Sequence, residues 1–413
     1  MRARCALLPL ALALLLPSFA LAQGATGSGP YDGADDATKK KLAACDELVT
    51  RQKYLSAYQS LGSEGADNEF ILAKRIELCL DYFAQSINHM IFAFADLKPG
   101  ESLEKLRGGT GSFTMVVLDP PKAVEEYYKA KPRSALLEKS LGDYFFEVRL
   151  RYGGRWTESD EAVSGKAVSH YESAFGLGLA DALSLANCAE SHLQLGAYDK
   201  AASYYDRSFA LGMDSANAHY NAAFAFLRLG QYDRALVEAK KAIALYADDP
   251  DYLFDACLLA ADASGAKGDL DGGLSLFAEA QKIETRDYRL YNKRIYFYLA
   301  RGDEAAALGD AQSLFALAPR NPGATQLVAA AYGESGKQAW LEDFFEWGLG
   351  AYASDTEALG NLLFYYSQWA HDANDDAKAL SLIDRAEQAF KNSDTKNKEV
   401  FEVIAKMREA YGK

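Results

Sequence analysis

Five histidines, His89, His170, His192, His219 and His371, are the chain's ordinary carriers of near-neutral acid–base chemistry. No two stand three to five residues apart and no His-Glu-x-x-His run occurs, so their spacing supports no zinc site. "SGK" at Ser164 and at Ser335 lacks the upstream glycine and the following Ser or Thr of a phosphate-binding loop. No Gly-x-Ser-x-Gly elbow is present, and no cysteine stands in an active-site signature. "DDPD" and "DANDD" are acidic turns without EF-hand spacing or its closing Glu. The expectation is therefore a non-enzyme with no cofactor and no metal.

One further stretch mixes charge with rings. "RDYRLYNKRIYFYLAR", Arg286 to Arg301, interleaves five basic residues with five aromatics, a pattern that can stack on bases. Tyr291, Ile295 and Tyr298 nevertheless recur at helical spacing and read as a buried stripe, leaving Arg289, Asn292 and Tyr296 on another face. The net charge of -14 opposes phosphate backbones, so no nucleic-acid partner is expected.

The elements that position these residues follow from a repeat. "LGAYDKA" (195–201) and "LGQYDRA" (229–235) share five residues in register 34 apart. The register extends through Gly196, Gly230, Gly268, Gly302 and Gly336 at intervals of 34, 38, 34 and 34. Ala167, Tyr171 and Ala174 precede Ala201, Tyr205 and Ser208 by 34 each, and Ala379 and Ala386 keep the same seven-residue relation. Each unit reads as two amphipathic helices joined at a glycine suited to the residue after a helix end. Small Ala223, Ala235 and Ala242 mark close helix approach, and Phe226 and Tyr232 are expected to fill the gaps between helices. One such unit cannot bury its apolar stripe alone, so the units must stack.

This spacing, with "HYNAAFAFLRLGQYDRALVEAKKAIAL", "LGDYFF" and Pro319 of "LAPRNP", resembles the tetratricopeptide repeat family. The resemblance covers about two thirds of the chain, with Ala223 in place of the family's first Gly. It implies an all-α, right-handed α-solenoid of helix-turn-helix repeats, about seven of them over 134–390, and a capping helix over 391–413. Residues 37–133 are expected to be helical, with a degenerate eighth unit in which "KYLSAYQSL" mimics a second helix. A small β-hairpin insertion near 90–118 is expected from "HMIFAFADL" and "SFTMVVLDPP", with a helix running on through "INHMIFAFADL" as the other reading. "VRLRYGGRWTESDEAVSG" adds about 13 residues and is expected as an overlong turn.

By the same resemblance, first-helix residues Glu190, Tyr220, Phe224, Arg228, Asp262, Arg289, Asn292 and Tyr296 line a concave groove. Their aromatic, guanidinium and carboxylate groups suit a partner peptide or helix. Packing against neighbouring repeats is the competing role for each of them. The family's chaperone-binding Lys/Asn clamp has no counterpart, since Ala186 and Tyr220, then Glu190 and Phe224, occupy its positions.

The N-terminus reads as a bacterial export signal over 1–22. "MRAR", an apolar run and Ala20-Leu21-Ala22 occur in that order, followed by a flexible linker over 23–36. Retention as an anchor is the alternative to cleavage. Cys45 lies too far beyond the apolar run to be lipidated. Cys45, Cys79, Cys188 and Cys257 sit in apolar helical patterns and are expected as buried thiols rather than disulfides. A periplasmic or envelope scaffold that binds another envelope protein is the reading these features favour. An accessory of a solute-uptake system is the first alternative, and an enzyme with its site in 87–133 the second.

Overall fold

The computed structural model describes residues 31–62, 67–107, 113–393 and 399–412. The expected export signal lies outside the described residues. Among these are 20 α-helices and one three-stranded sheet. The chain divides into two compact units, Met1–Gln231 and Tyr232–Lys413.

The first unit opens with α1 (Asp36–Thr50), α2 (Tyr54–Ser60) and α3 (Glu69–Asp81). Asp35 and Asn68 accept backbone N–H bonds at the starts of α1 and α3, satisfying donors that a helix end leaves orphaned. Of the expected linker over 23–36, residues 23–30 lie outside the described residues, and 31–35 lead directly into α1. Tyr31 packs on the unit's core and Ala34 is buried, because an aromatic and an alanine directly before a cap extend the apolar face of α1.

Strands β1 (Gln85–Ile87), β2 (Ile91–Phe94) and β3 (Thr114–Val117) follow, with α4 (Leu103–Arg107) between β2 and β3. The expected hairpin is present: β2 pairs antiparallel with β3, with Ile91 opposite Val117 and Phe94 opposite Thr114. β1 adds a third strand that the sequence reading lacks. β2 is buried on both faces at its end, Ala93 included, so only its first residue shows the expected alternation. Phe92 and Phe94 point into the core, while Ile87 and Val117 on the other face are 51% and 76% exposed. The run-on helix fails because α3 already ends at Asp81. Asp96 then ties the sheet to α2 by accepting from Ser56 N and Oγ.

After α5 (Pro120–Tyr128) come α6 (Ala135–Tyr152), α7 (Asp160–Gly176), α8 (Ala182–Gln194), α9 (Tyr198–Ala210) and α10 (Ala216–Arg228). The 13 extra residues at "VRLRYGGRWTESDEAVSG" are not chiefly a turn. Relative to α8 and α9, α6 is longer by five residues and α7 by four, and only four enlarge the connection. Gly153 and Gly154 end α6 and Ser159 caps α7, so the helices run until those signals stop them.

The second unit contains α11 (Tyr232–Leu245), α12 (Pro250–Ala266), α13 (Leu270–Ile283), α14 (Tyr288–Arg301) and α15 (Glu304–Leu317). It continues with α16 (Pro322–Glu334), α17 (Leu341–Ala351), α18 (Thr356–Asp372), α19 (Asp376–Lys391) and α20 (Glu399–Tyr411). First helices from α8 to α18 begin 34, 34, 38, 34 and 34 residues apart. The residue that reverses the chain after each first helix has positive φ: Gly154, Gly196, Gly230, Gly268, Gly302, Gly336 and Asn374, between 63° and 93°. Glycine suits the left-handed region because it has no Cβ to clash, and Asn tolerates it best among the others.

The repeated small and large residues behave as their register requires, with one exception. Ala167, Tyr171, Ala174, Ala201, Tyr205, Ser208, Ala379 and Ala386 are buried, as is Phe226. Tyr232 instead keeps 37% exposure, because it opens α11, which buries only Ala235, Ala239 and Ala242. All four described cysteines are buried and free.

Candidate functional site

The eight expected groove residues fall into two sets, one in each unit. In the first unit, Glu190 on α8 stands between Arg149 on α6 and Asn221 on α10. Arg149 Nη2 donates to Glu190 Oε1 at 2.6 Å, and Asn221 Nδ2 donates to Oε2 at 3.4 Å. Burial raises the Glu190 pKa and Arg149 opposes that shift. One turn further along α10, Phe224 meets the Tyr198 ring edge-on at 6.1 Å, and the exposed Arg228 guanidinium lies 5.2 Å over the same ring. Tyr220 is half-buried on α10.

In the second unit the pattern recurs on α12, α14 and α16. Arg289 pairs with Asp255 at 2.9 Å and with Asp287 at 2.6 Å, and its guanidinium lies over Phe254. Lys293 donates to Asp262 at 2.6 Å. Tyr296 donates to Glu334 at 2.7 Å. Burial raises the carboxyl pKa of Asp255 and Asp262, against the pull of Arg289 and Lys293 respectively. Burial, with the Glu334 carboxylate beside it, pushes the Tyr296 phenol up to about 12. Asn292 is half-buried, and its Oδ1 is buried with no donor among the described residues.

The structure thus makes Glu190, Asp262, Arg289 and Tyr296 cross-links between successive first helices, while Phe224 and Arg228 contact Tyr198 of the second helix α9. Several partners escaped sequence reasoning: Arg149, Asn221, Asp255, Lys293 and Glu334. A signal for four of them exists. The bonded positions are separated by 31, 34 or 38 residues, which is one period, or one period shifted by a helical turn. Opposite charges or complementary polar groups at those separations must share a face. His192 and His219 are buried and stack on Tyr204 and Phe209, so both are packing residues.

A different carboxyl in the first unit carries a pH dependence. Asp81 closes α3, and its backbone carbonyl accepts from Arg107 Nη2 at 2.7 Å. Burial pushes its pKa up to about 8, with Glu77, Glu147 and Asp143 adding to the shift and Lys139 opposing it. Because the folded value exceeds the unfolded one, the fold favours the neutral acid. The associated stability is complete below about pH 4 and is lost as pH rises toward 8. Asp81→Asn should therefore match the wild type near pH 4.5. Its advantage should grow above that by at most about 1.4 kcal/mol per pH unit, measured by urea unfolding at pH 4.5, 6 and 8. A difference that stays flat across these pH values would show an ionised Asp81 in the fold.

The helix pairs, their 34-residue period and the left-handed turn after each first helix define an all-α fold of repeated helix pairs. No known family profile matches the chain, and no curated protein matches it. Among solved structures, it is similar to YrrB, described as a TPR protein with an unusual peptide-binding site. The identity is 17% over 52% of this chain and 97% of that one, with a TM-score of 0.41. It is also similar to a tetratricopeptide repeat protein from Parabacteroides merdae ATCC 43184, at 15% identity over 67% and 99% of the two chains, TM-score 0.41. A third is MamA from Desulfovibrio magneticus RS-1, at 17% identity over 44% and 93%, TM-score 0.36. The fold class rests on the chain's own period and turns rather than on these likenesses. Among the described residues, no helix is long and apolar enough to cross a membrane, and no group of three or more His, Cys, Asp or Glu is placed to hold a metal.

Proposed function

We propose that this chain is a non-catalytic scaffold, exported to the periplasm or cell envelope, that binds a segment of another envelope protein on the inner faces of its first helices. One observation carries the binding reading. Half-exposed rings and charges recur on successive first helices, and inter-helix bonds such as Arg149–Glu190, Asp262–Lys293 and Tyr296–Glu334 hold them in place. A surface already fixed before binding loses little side-chain entropy when a partner arrives. The export reading is supported by "MRAR", the apolar run and Ala20-Leu21-Ala22 alone.

In-cell cross-linking of the tagged chain, followed by mass spectrometry, tests both parts. The matched control replaces Tyr220, Phe224 and Tyr296 with Ala, its folding checked by circular dichroism. Capture of one envelope protein, reduced at least tenfold in the triple variant, is the expected result. Capture unchanged by the variant would overturn the surface assignment. Capture of cytoplasmic proteins alone would overturn the location.

A further inference from the structure

The connection between β1 and β2 breaks a local rule. Ile87 pairs with Ile91, so the loop is three residues, 88–90. Within it lies a four-residue turn, 87–90, closed by Met90 N–H donating to Ile87 O at 3.1 Å. Its two central residues, Asn88 and His89, have φ of 51° and 50°. That is the turn type for which Asn-Gly is favoured. Asn88 fits its place, whereas His89 stands where a side chain costs about 1 kcal/mol or more.

The surroundings of the imidazole hold it there. It is 0% exposed. Tyr144 of α6 stacks on it at 5.5 Å, and Tyr152 of α6, Phe92 of β2 and Phe83 meet it edge-on at 5.5, 5.2 and 6.1 Å. Neither Nδ1 nor Nε2 has a hydrogen-bond partner among the described residues. The Tyr152 hydroxyl is engaged with Ser86 Oγ at 2.6 Å. The charged groups around this cage are of both signs: Asp119 and Glu158 act on Tyr144, and Asp81 lies beside Arg107. Arg151 of α6 and Arg107 of α4 lie over the Phe83 ring at 4.9 and 4.8 Å, and the nearby carboxylate of Glu147 is bound to Arg151 at 2.6 Å.

Such a site accepts only the neutral ring. An imidazolium there would have no acceptor and would face Arg151. Burial, reinforced by that arginine, holds the His89 pKa at about 3, against 6.5 for a solvated histidine. The closed turn is thus strained, dry and neutral.

We propose that the β1–β2 turn is an acid-sensitive latch, in which uptake of a proton by His89 ejects the ring from its cage and frees the sheet from α6. Release also relaxes the left-handed strain and uncovers the aromatic faces of Tyr144 and Phe83. Since the folded value lies below the unfolded one, the latch is fully closed above about pH 6.5. Its opening constant rises about tenfold per pH unit below that.

Hydrogen exchange of the full chain, expressed as protection factors corrected for intrinsic rates, reads the opening directly. Between pH 6.5 and 4.5 the amides of Ala84, Met90 and Leu118, all bonded within or beside the sheet, should lose up to about 100-fold in protection. Amides of α18 and α19 should not follow. His89→Phe keeps an aromatic in the cage without a titrating group, and should abolish the loss. Equal acid loosening in His89→Phe, or none in the wild type, overturns the latch. Should that variant fail to fold, ring NMR of His89 in the wild type decides the matter. The closed state requires a ring signal that does not shift on acidification. A titration near pH 6.5 with sheet protection intact overturns the proposal.

Discussion

Replacing Phe297 with Ala should destabilise the second unit by about 3–5 kcal/mol, the range for emptying a buried phenylalanine site. The ring of Phe297, on α14, is buried between α12 and α13 in the space left by two glycines. A Cβ at Gly265 of α12 would fall 2.2 Å from Phe297 Cζ, and one at Gly273 of α13 would fall 2.3 Å from Cε1. Phe277 meets the ring edge-on at 4.9 Å. Gly265→Ala should also destabilise, this time through overlap with the ring. Combining Gly265→Ala with Phe297→Leu should cost less than the two singles together, since the smaller side chain makes room for the new methyl. Guanidinium unfolding of all four proteins gives the coupling. Strict additivity would mean that the ring and Gly265 do not share the space assigned to them.

That contact illustrates what a sequence withholds. The period, the turn glycines and the apolar stripes were legible because each follows from local chemistry repeated at fixed spacing. The hairpin near 90–118 was legible for the same reason, as two β-branched and aromatic runs bounded by Gly and Pro. The slot around Phe297 was not legible. Gly265 and Gly273 come from neighbouring helices of one pair and the ring from the next pair, a coincidence of three dimensions with no spacing rule. Strand β1 was missed because "QSI" is too short to show an alternation. The insertion near Arg155 was read as a turn because its residues are polar, yet polarity does not end a helix; Gly153, Gly154 and the Ser159 cap do.

The expected groove residues lie on first helices, as counting along the repeat implied, but their bonding was only half visible. Glu190, Asp262, Arg289 and Tyr296 could each be assigned to a face by counting along a helix. Which neighbour each one bonds depends on how far successive helices shift along their axes. That shift selects Lys293 for Asp262, a turn away from the residue one full period on. The result bears on binding, since a carboxylate already bonded to a lysine offers a partner less than a free one would. Under the proposed scaffold reading, rings and rim charges such as Phe224 and Arg228 would carry more of the contact than the bonded carboxylates.

Removing Asp310 should be among the most costly single changes in the chain. Arg294 on α14 makes a two-pronged contact with Asp310 on α15, Nε to Oδ2 and Nη2 to Oδ1, both at 2.6 Å. The two side chains are only 10% and 8% exposed. Gln281 Oε1 accepts a third bond from Nη1 at 2.7 Å, so three helices meet at one guanidinium. Burial raises the Asp310 pKa while Arg294 opposes the shift; burial alone would lower that of Arg294, but the Asp310 carboxylate raises it overall. The pair is therefore poised between a large desolvation cost and a large attraction. Asp310→Ala leaves a buried cation unmatched and should cost about 3–5 kcal/mol. Asp310→Leu with Arg294→Met removes both charges and should recover most of that loss, leaving stability within about 1–2 kcal/mol of the wild type. Urea unfolding monitored by fluorescence compares the three proteins. A double variant as weak as Asp310→Ala would show that the pair itself, not the avoidance of a lone charge, holds α14 to α15.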